Sequence, residues 1–130
     1  MRGVLHFARE IREQPEVLAR FLERQAKNVA RIAEILRARG LMHVVIAARG
    51  TSDNAATYGR YIFESHCGAV VSLAAPSLFT LYRRPPRLRH ALVIGISQSG
   101  QGTDIIEVVA EGKRQGALTL SLTNHADSPL

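Results

Sequence analysis

The run Ala91-Leu92-Val93-Ile94-Gly95-Ile96, followed at once by Ser97-Gln98-Ser99-Gly100-Gln101-Gly102-Thr103 and then by the amphipathic stretch from Asp104 to Arg114, decides how this chain is read. Six apolar residues without alternation describe a strand buried on both faces, the kind that parallel sheets use. A turn rich in hydroxyls and glycine then hands the chain to a helix. The first amides of that helix have no partner within it, and its dipole is positive at that end, so the turn suits an anion. Ser97, Ser99 and Thr103 can add hydroxyl donors, while Gly100 and Gly102 let the backbone come close to a ligand.

The same strand, turn and helix sequence recurs on either side. Upstream, Leu41 to Ala48 reads as a buried strand ending in Arg49-Gly50-Thr51-Ser52-Asp53-Asn54, and helical spacing runs from Ala55 to His66, with Asp53 or Ser52 expected as its N-cap. Gly68 ends that helix. Ala69 to Ala74 reads as a second strand, Pro76-Ser77 opens a short helix through Leu81, and a basic, Pro-containing loop fills 83–90. Downstream, a helix over 103–115 turns Ile105, Ile106, Val108 and Val109 inward and is closed by Gly116, and Ala117 to Leu122 forms a fourth strand. Ahead of all this, apolar residues at Ile11, Leu18, Phe21, Leu22, Val29, Ile32 and Leu36 recur at helical spacing. Pro15 is expected to divide that region into a short helix near 6–13 and a long one near 15–38, closed by Gly40. The organisation is therefore an N-terminal helical arm over 1–40 and an α/β domain over 41–130. Right-handed crossovers make that domain an open parallel sheet with helices on both faces, a flavodoxin-like three-layer sandwich. After the fourth strand only the polar turn Thr123-Asn124-His125-Ala126-Asp127-Ser128-Pro129-Leu130 follows, so the motif is expected to be truncated there.

Composition excludes several classes of function. The chain has 130 residues, 46% hydrophobic and 22% charged, and no apolar run of the roughly 20 residues that a membrane span needs. No membrane partner is expected. The N-terminus lacks an apolar core and cleavage site of the secretory kind, which makes cytoplasmic residence the default. A single cysteine, Cys67, offers neither a disulfide nor a metal motif, and no metal or cofactor is expected. The formal net charge of +6 comes from scattered basic residues, and the one compact cluster, Arg83 to His90, lacks aromatics for base stacking, so no nucleic-acid partner is expected. The P-loop pattern, the dinucleotide fingerprint and the nucleophile elbow are all missing from the sequence.

In open parallel sheets, ligands bind beyond the carboxyl ends of the strands. Three turns meet that condition: Thr51-Ser52, Ser97-Gln98-Ser99 and Thr123-Asn124. Their donors suit a compact polyhydroxylated ligand carrying one phosphate, with Thr51, Gln98 and Asn124 available to sugar hydroxyls. The acidic residues near these turns, Asp53, Asp104 and Asp127, read more simply as caps or first-turn acids, and His125 as an exposed turn residue.

Taken together, Gly50-Thr51-Ser52, the helix segment Arg60-Tyr61-x-Phe63-Glu64-Ser65, Ser97-Gln98-Ser99-Gly100 and Thr123-Asn124 resemble the SIS (sugar isomerase) domain family. More narrowly they are similar to the first SIS subdomain in the isomerase half of glutamine–fructose-6-phosphate transaminase, whose opening segment Glu10-Ile11-x-Glu13-Gln14-Pro15 also matches. The resemblance implies that Ser52, Ser97, Gln98 and Ser99 contact a sugar phosphate, with Thr51 nearby. It leaves Thr103 open, because the family's threonine falls at Gly102, and it leaves Arg49 open, because the family has a small residue there. It implies no catalytic residue in this stretch, since the family's proton-transfer glutamate, ring-opening histidine and terminal lysine belong to a second SIS subdomain and tail. The implied partners are a phosphosugar, a second copy in a homodimer, and a downstream SIS subdomain or a glutaminase domain in a longer protein. A non-catalytic SIS sensor of phosphosugars is the alternative.

Overall fold

Valine and isoleucine fill the central strands, and their branched side chains suit a pleated surface covered on both sides. In the computed structural model, which describes residues 2–40 and 43–130, the elements in chain order are α1 (Arg2–Arg39), β1 (His43–Ala47), α2 (Ser52–Cys67), β2 (Val70–Leu73), α3 (Ser77–Thr80), β3 (Ala91–Ile96), α4 (Thr103–Arg114) and β4 (Leu118–Leu122). The chain divides into two units after Gly40. In the second unit all four strands are parallel, in the order β2-β1-β3-β4, with Val45 level with Ser72 and Val93, and Ile94 level with Leu120.

The alternation of side chains along each strand divides the core into two layers. On one face Val45, Ala47, Ala91 and Val93 pack with Phe79 of α3, Leu88, and Ile105, Val108 and Val109 of α4. Ile46 points the other way, toward α2, where a Cβ on Gly59 would sit 3.4 Å from Ile46 Cδ1. Helices therefore cover both faces. The approach of α4 to β3 depends on small residues, because a Cβ on Gly95 would lie 2.6 Å from Val109 Cγ2 and one on Gly112 would lie 2.9 Å from Val93 Cγ2. The C-terminal end of α4 is fixed to the loop before β3 by Gln115. Its side-chain oxygen accepts from Leu88 N at 2.7 Å, and its amide nitrogen donates to Pro86 O at 3.0 Å and Glu111 Oε1 at 2.8 Å. The residues after β4 turn back under β3: Leu130 N donates to Gly100 O at 3.2 Å, and Ser121 Oγ donates to Leu130 O at 2.9 Å.

Two expectations are corrected and one holds. Pro15 does not divide the arm, since α1 runs unbroken through it from Arg2 to Arg39. A proline removes one backbone hydrogen bond, and here the amphipathic pattern continues across it, with the Arg9–Glu13 and Glu16–Arg20 pairs on either side. The N-cap of α2 is Thr51 rather than Ser52 or Asp53, and its side chain makes no capping hydrogen bond. Gly116 closes α4 as expected: it follows the C-cap Gln115 at φ +79°, donates to Lys113 O at 3.0 Å, and lets Ala117 N donate to Gly112 O at 2.9 Å. Of the first strand expected over 41–48, Leu41 and Met42 lie outside the described residues.

Candidate functional site

β1 and β3 are neighbours, but the chain leaves β1 for α2 and β2 on one side, and leaves β3 for α4 and β4 on the other. Their turns diverge, and the point of divergence is where an open parallel sheet forms a ligand crevice. An open cleft of about 430 Å³ lies there, lined by Arg49, Thr51 and Ser52 after β1, by Ile96, Ser97, Gln98, Ser99, Gln101 and Gly102 after β3, and by Asp104 and Ile105 in the first turn of α4.

The turn after β3 is held in shape by its own hydroxyls. Ser97 Oγ accepts from Gly100 N at 3.2 Å, and Ser99 Oγ accepts from Gln101 N at 3.3 Å. Both hydroxyls still have a proton to donate to a ligand. Gly102 is the N-cap of α4 and supplies no side-chain oxygen, so the first amides of α4 remain uncapped at the positive end of a 12-residue helix. Across the cleft, Thr51 and Ser52 open α2, and the Thr51 hydroxyl is not spent on capping.

Five of the six residues singled out in the sequence, Thr51, Ser52, Ser97, Gln98 and Ser99, come together in this cleft. Thr103 does not line it: it is the first residue of α4 and is exposed. Nor do Thr123 and Asn124, which instead brace the turn from behind. Asn124 N donates to Gln98 O at 3.1 Å and Thr123 Oγ1 donates to the same carbonyl at 3.3 Å. Glu64 pairs with Arg60 at 3.2 Å on α2, and Asp53, His125 and Asp127 are exposed away from the cleft lining. Asp104 is a first-turn acid of α4, as expected, and it also reaches beyond its helix: its Oδ2 meets Arg49 Nη1 at 3.2 Å, and its Oδ1 is buried without a hydrogen-bond partner. Sequence reasoning missed this pair, because nothing local links residues on two different turns, and it passed over Gln101, which lines the cleft from the same turn as Ser97 and Ser99. Among the described residues no cluster of metal-ligating side chains occurs, and no helix is long and apolar enough to cross a membrane.

Comparison with known proteins gives a consistent picture. The family model for the SIS domain matches residues 34–130. The isomerizing glutamine–fructose-6-phosphate aminotransferase of Symbiobacterium thermophilum is 32% identical over 130 residues, covering 94% of this chain and 21% of that protein. The corresponding protein of Thermus thermophilus is 33% identical over 132 residues, covering 98% and 22%. The chain thus spans about a fifth of the length of these curated relatives. Among solved structures, a candidate phosphosugar isomerase from Silicibacter pomeroyi DSS-3 superposes with a TM-score of 0.89 at 43% identity, covering 94% of this chain and 37% of that one. Tagatose-6-phosphate ketose/aldose isomerase from Escherichia coli superposes with a TM-score of 0.75 over 92% of this chain and 35% of that one, at 20% identity, a likeness of fold.

Proposed function

This chain belongs to the SIS domain family, and we propose on that premise that its cleft binds a phosphosugar, as part of a glucosamine-6-phosphate synthase-like aminotransferase or isomerase acting on fructose 6-phosphate or an amino-sugar phosphate. The observation that carries the reading is the meeting of two hydroxyl-bearing turns, Thr51-Ser52 and Ser97-Gln98-Ser99, at the uncapped N-terminus of α4. Phosphate oxygens accept from the hydroxyls of Ser97 and Ser99 and from the first amides of α4, where the helix dipole favours negative charge. Ser52 and Thr51 close the site from the opposite wall. Gln98, with both a donor and an acceptor, orients a sugar hydroxyl. The hydroxyl of Thr103 stands outside the cleft, so its part in phosphate binding is through its backbone amide. In this reading the chain works in the cytoplasm and pairs with a second copy.

The test is calorimetric titration of the full chain with fructose 6-phosphate and with unphosphorylated fructose. Fructose 6-phosphate is expected to bind, and fructose to bind far more weakly. Ser97→Ala/Ser99→Ala should weaken phosphosugar affinity at least tenfold, since it removes two donors to a charged group worth about 1.5–3 kcal/mol each. A folded wild-type sample with no affinity for fructose 6-phosphate or glucosamine 6-phosphate refutes the reading. The sensor alternative is favoured by one observation: Asp104 is the one carboxylate among the described residues lining the cleft, and one of its two oxygens is buried. Binding without turnover in a longer natural protein, assayed for isomerisation and amino transfer, would select it.

A further inference from the structure

A carboxylate stands inside what is otherwise a site for an anion. Asp104 lies in the first turn of α4 on the wall of the cleft, with its side chain only 18% exposed. Its buried Oδ1 borders the phosphate cradle: a Cβ on Gly102 would lie 3.3 Å from Oδ1 and 3.9 Å from Ser97 Oγ. Like charges this close repel, and more strongly at a protein surface than in water, so a phosphate here needs a compensating cation. Among the described residues lining the cleft, the one cationic side chain is Arg49.

Arg49 is suited to that task by its exposure and by its weak attachment. Its side chain is 72% exposed and holds Asp104 Oδ2 through Nη1 alone, at 3.2 Å. A guanidinium has five N–H donors, so most of them are unspent. A single contact made by so exposed a guanidinium adds little to stability, whereas guanidinium and phosphate match as a two-point, charge-assisted contact.

We propose that Arg49 is the phosphate clamp of the cleft and that its ion pair with Asp104 is the resting position of that clamp. When a phosphosugar enters, the guanidinium turns from Oδ2 to the phosphate. The freed Oδ2 then accepts a hydroxyl of the sugar, while Oδ1 stays buried in the wall. Full affinity then requires a phosphate and a hydroxyl on one molecule, so the pair discriminates the phosphosugar from inorganic phosphate and from free sugar. This inference rests on the phosphosugar reading of the same cleft.

The experiment titrates wild type, Arg49→Gln, Asp104→Asn and the double variant with fructose 6-phosphate and with inorganic phosphate, and records a thermal melt for each. Arg49→Gln is expected to weaken both ligands about 10- to 100-fold, with at most a small fall in melting temperature, since the Arg49 side chain is exposed although Asp104 loses its ion pair. Asp104→Asn is expected to tighten inorganic phosphate and to reduce the preference for fructose 6-phosphate over it about tenfold. In the Asp104→Asn background, removing Arg49 should still cost at least tenfold. If that cost vanishes, Arg49 only neutralises Asp104 and the clamp is overturned. Arg49→Lys keeps the charge without the two-point geometry and should fall between wild type and Arg49→Gln. A wild type that binds fructose 6-phosphate through Ser97 and Ser99, alongside an Arg49→Gln variant that binds equally well, overturns the clamp alone. A wild type that binds no phosphosugar overturns the reading beneath it as well.

Discussion

Gly100 meets two separate demands, and a comparison with Gly50 separates them. Both take positive φ, +66° and +63°, which L side chains adopt at a cost of about 1–2 kcal/mol. A Cβ on Gly50 would find nothing within 4 Å, whereas one on Gly100 would run into Ser128 Oγ and stand 3.0 Å from Thr123 Oγ1. Gly100 also donates to the backbone and side-chain oxygens of Ser97 and accepts from Leu130 N. Gly50→Ala should therefore lower stability by about 1 kcal/mol. Gly100→Ala should lower it by about 2–4 kcal/mol, adding overpacking to strain, and should cost phosphosugar affinity by displacing Ser97. Parallel thermal melts and titrations check the order; equal losses would show that φ alone matters. At this scale the sequence is a partial guide. The hydroxyls of Thr51, Ser52, Ser97 and Ser99 are legible because they sit in glycine-containing turns at the ends of apolar runs. The contact between Arg49 and Asp104 is not, because 55 positions separate them and only the strand order brings their turns together.

At the scale of elements, α4 does the most to build the site. Gly95 and Gly112 let it lie close on β3, which brings its N-terminus to the mouth of the cleft, and Gln115 anchors its other end to Pro86 and Leu88. Neither device shows in periodicity, which reports which face is apolar but not how near two elements come. The strands are legible nearly to their ends because continuous apolar runs are unambiguous, while Pro15 misleads because one lost hydrogen bond does not end a helix whose pattern continues. The Gln115 anchor gives α4 a pH dependence. Hydrogen bonds from Gln115 and then Arg114 hold the Glu111 carboxyl below its ordinary value of 4.5. A group whose folded value is depressed stabilises the fold above its unfolded value and loses that contribution as pH falls through the folded value. Glu111→Gln should thus be less stable than wild type at pH 6, by about 1 kcal/mol once solvent screening is set against the strength of hydrogen bonds to a charged group. The gap should close as the pH is lowered below the ordinary value of 4.5, as followed by thermal melts. A gap that stays constant with pH would mean that the carboxylate charge contributes nothing.

The molecule as a whole carries a surface that its ligand chemistry does not use. Along the 38 residues of α1, Phe7, Ile11, Leu18, Leu22 and Val29 fall at spacings of four and seven, which places them in one stripe, and all are exposed, Leu18 at 61% and Leu22 at 68%. Helices gain most of their stability by burying such a stripe. A second copy offers the same stripe, and two-fold pairing of identical surfaces closes without leaving a further contact free. Charge works against the association, because each copy carries a formal +6, and that repulsion is screened within about 10 Å at 0.1 M salt. Sedimentation velocity on the full chain is therefore expected to show a dimer that strengthens as salt is raised. Leu18→Glu/Leu22→Glu should convert it to a monomer without altering phosphosugar binding, since the residues lining the cleft all lie from Arg49 onward. A wild type that stays monomeric at high concentration and high salt would exclude pairing through α1. A dimer indifferent to the double substitution would move the interface to another surface.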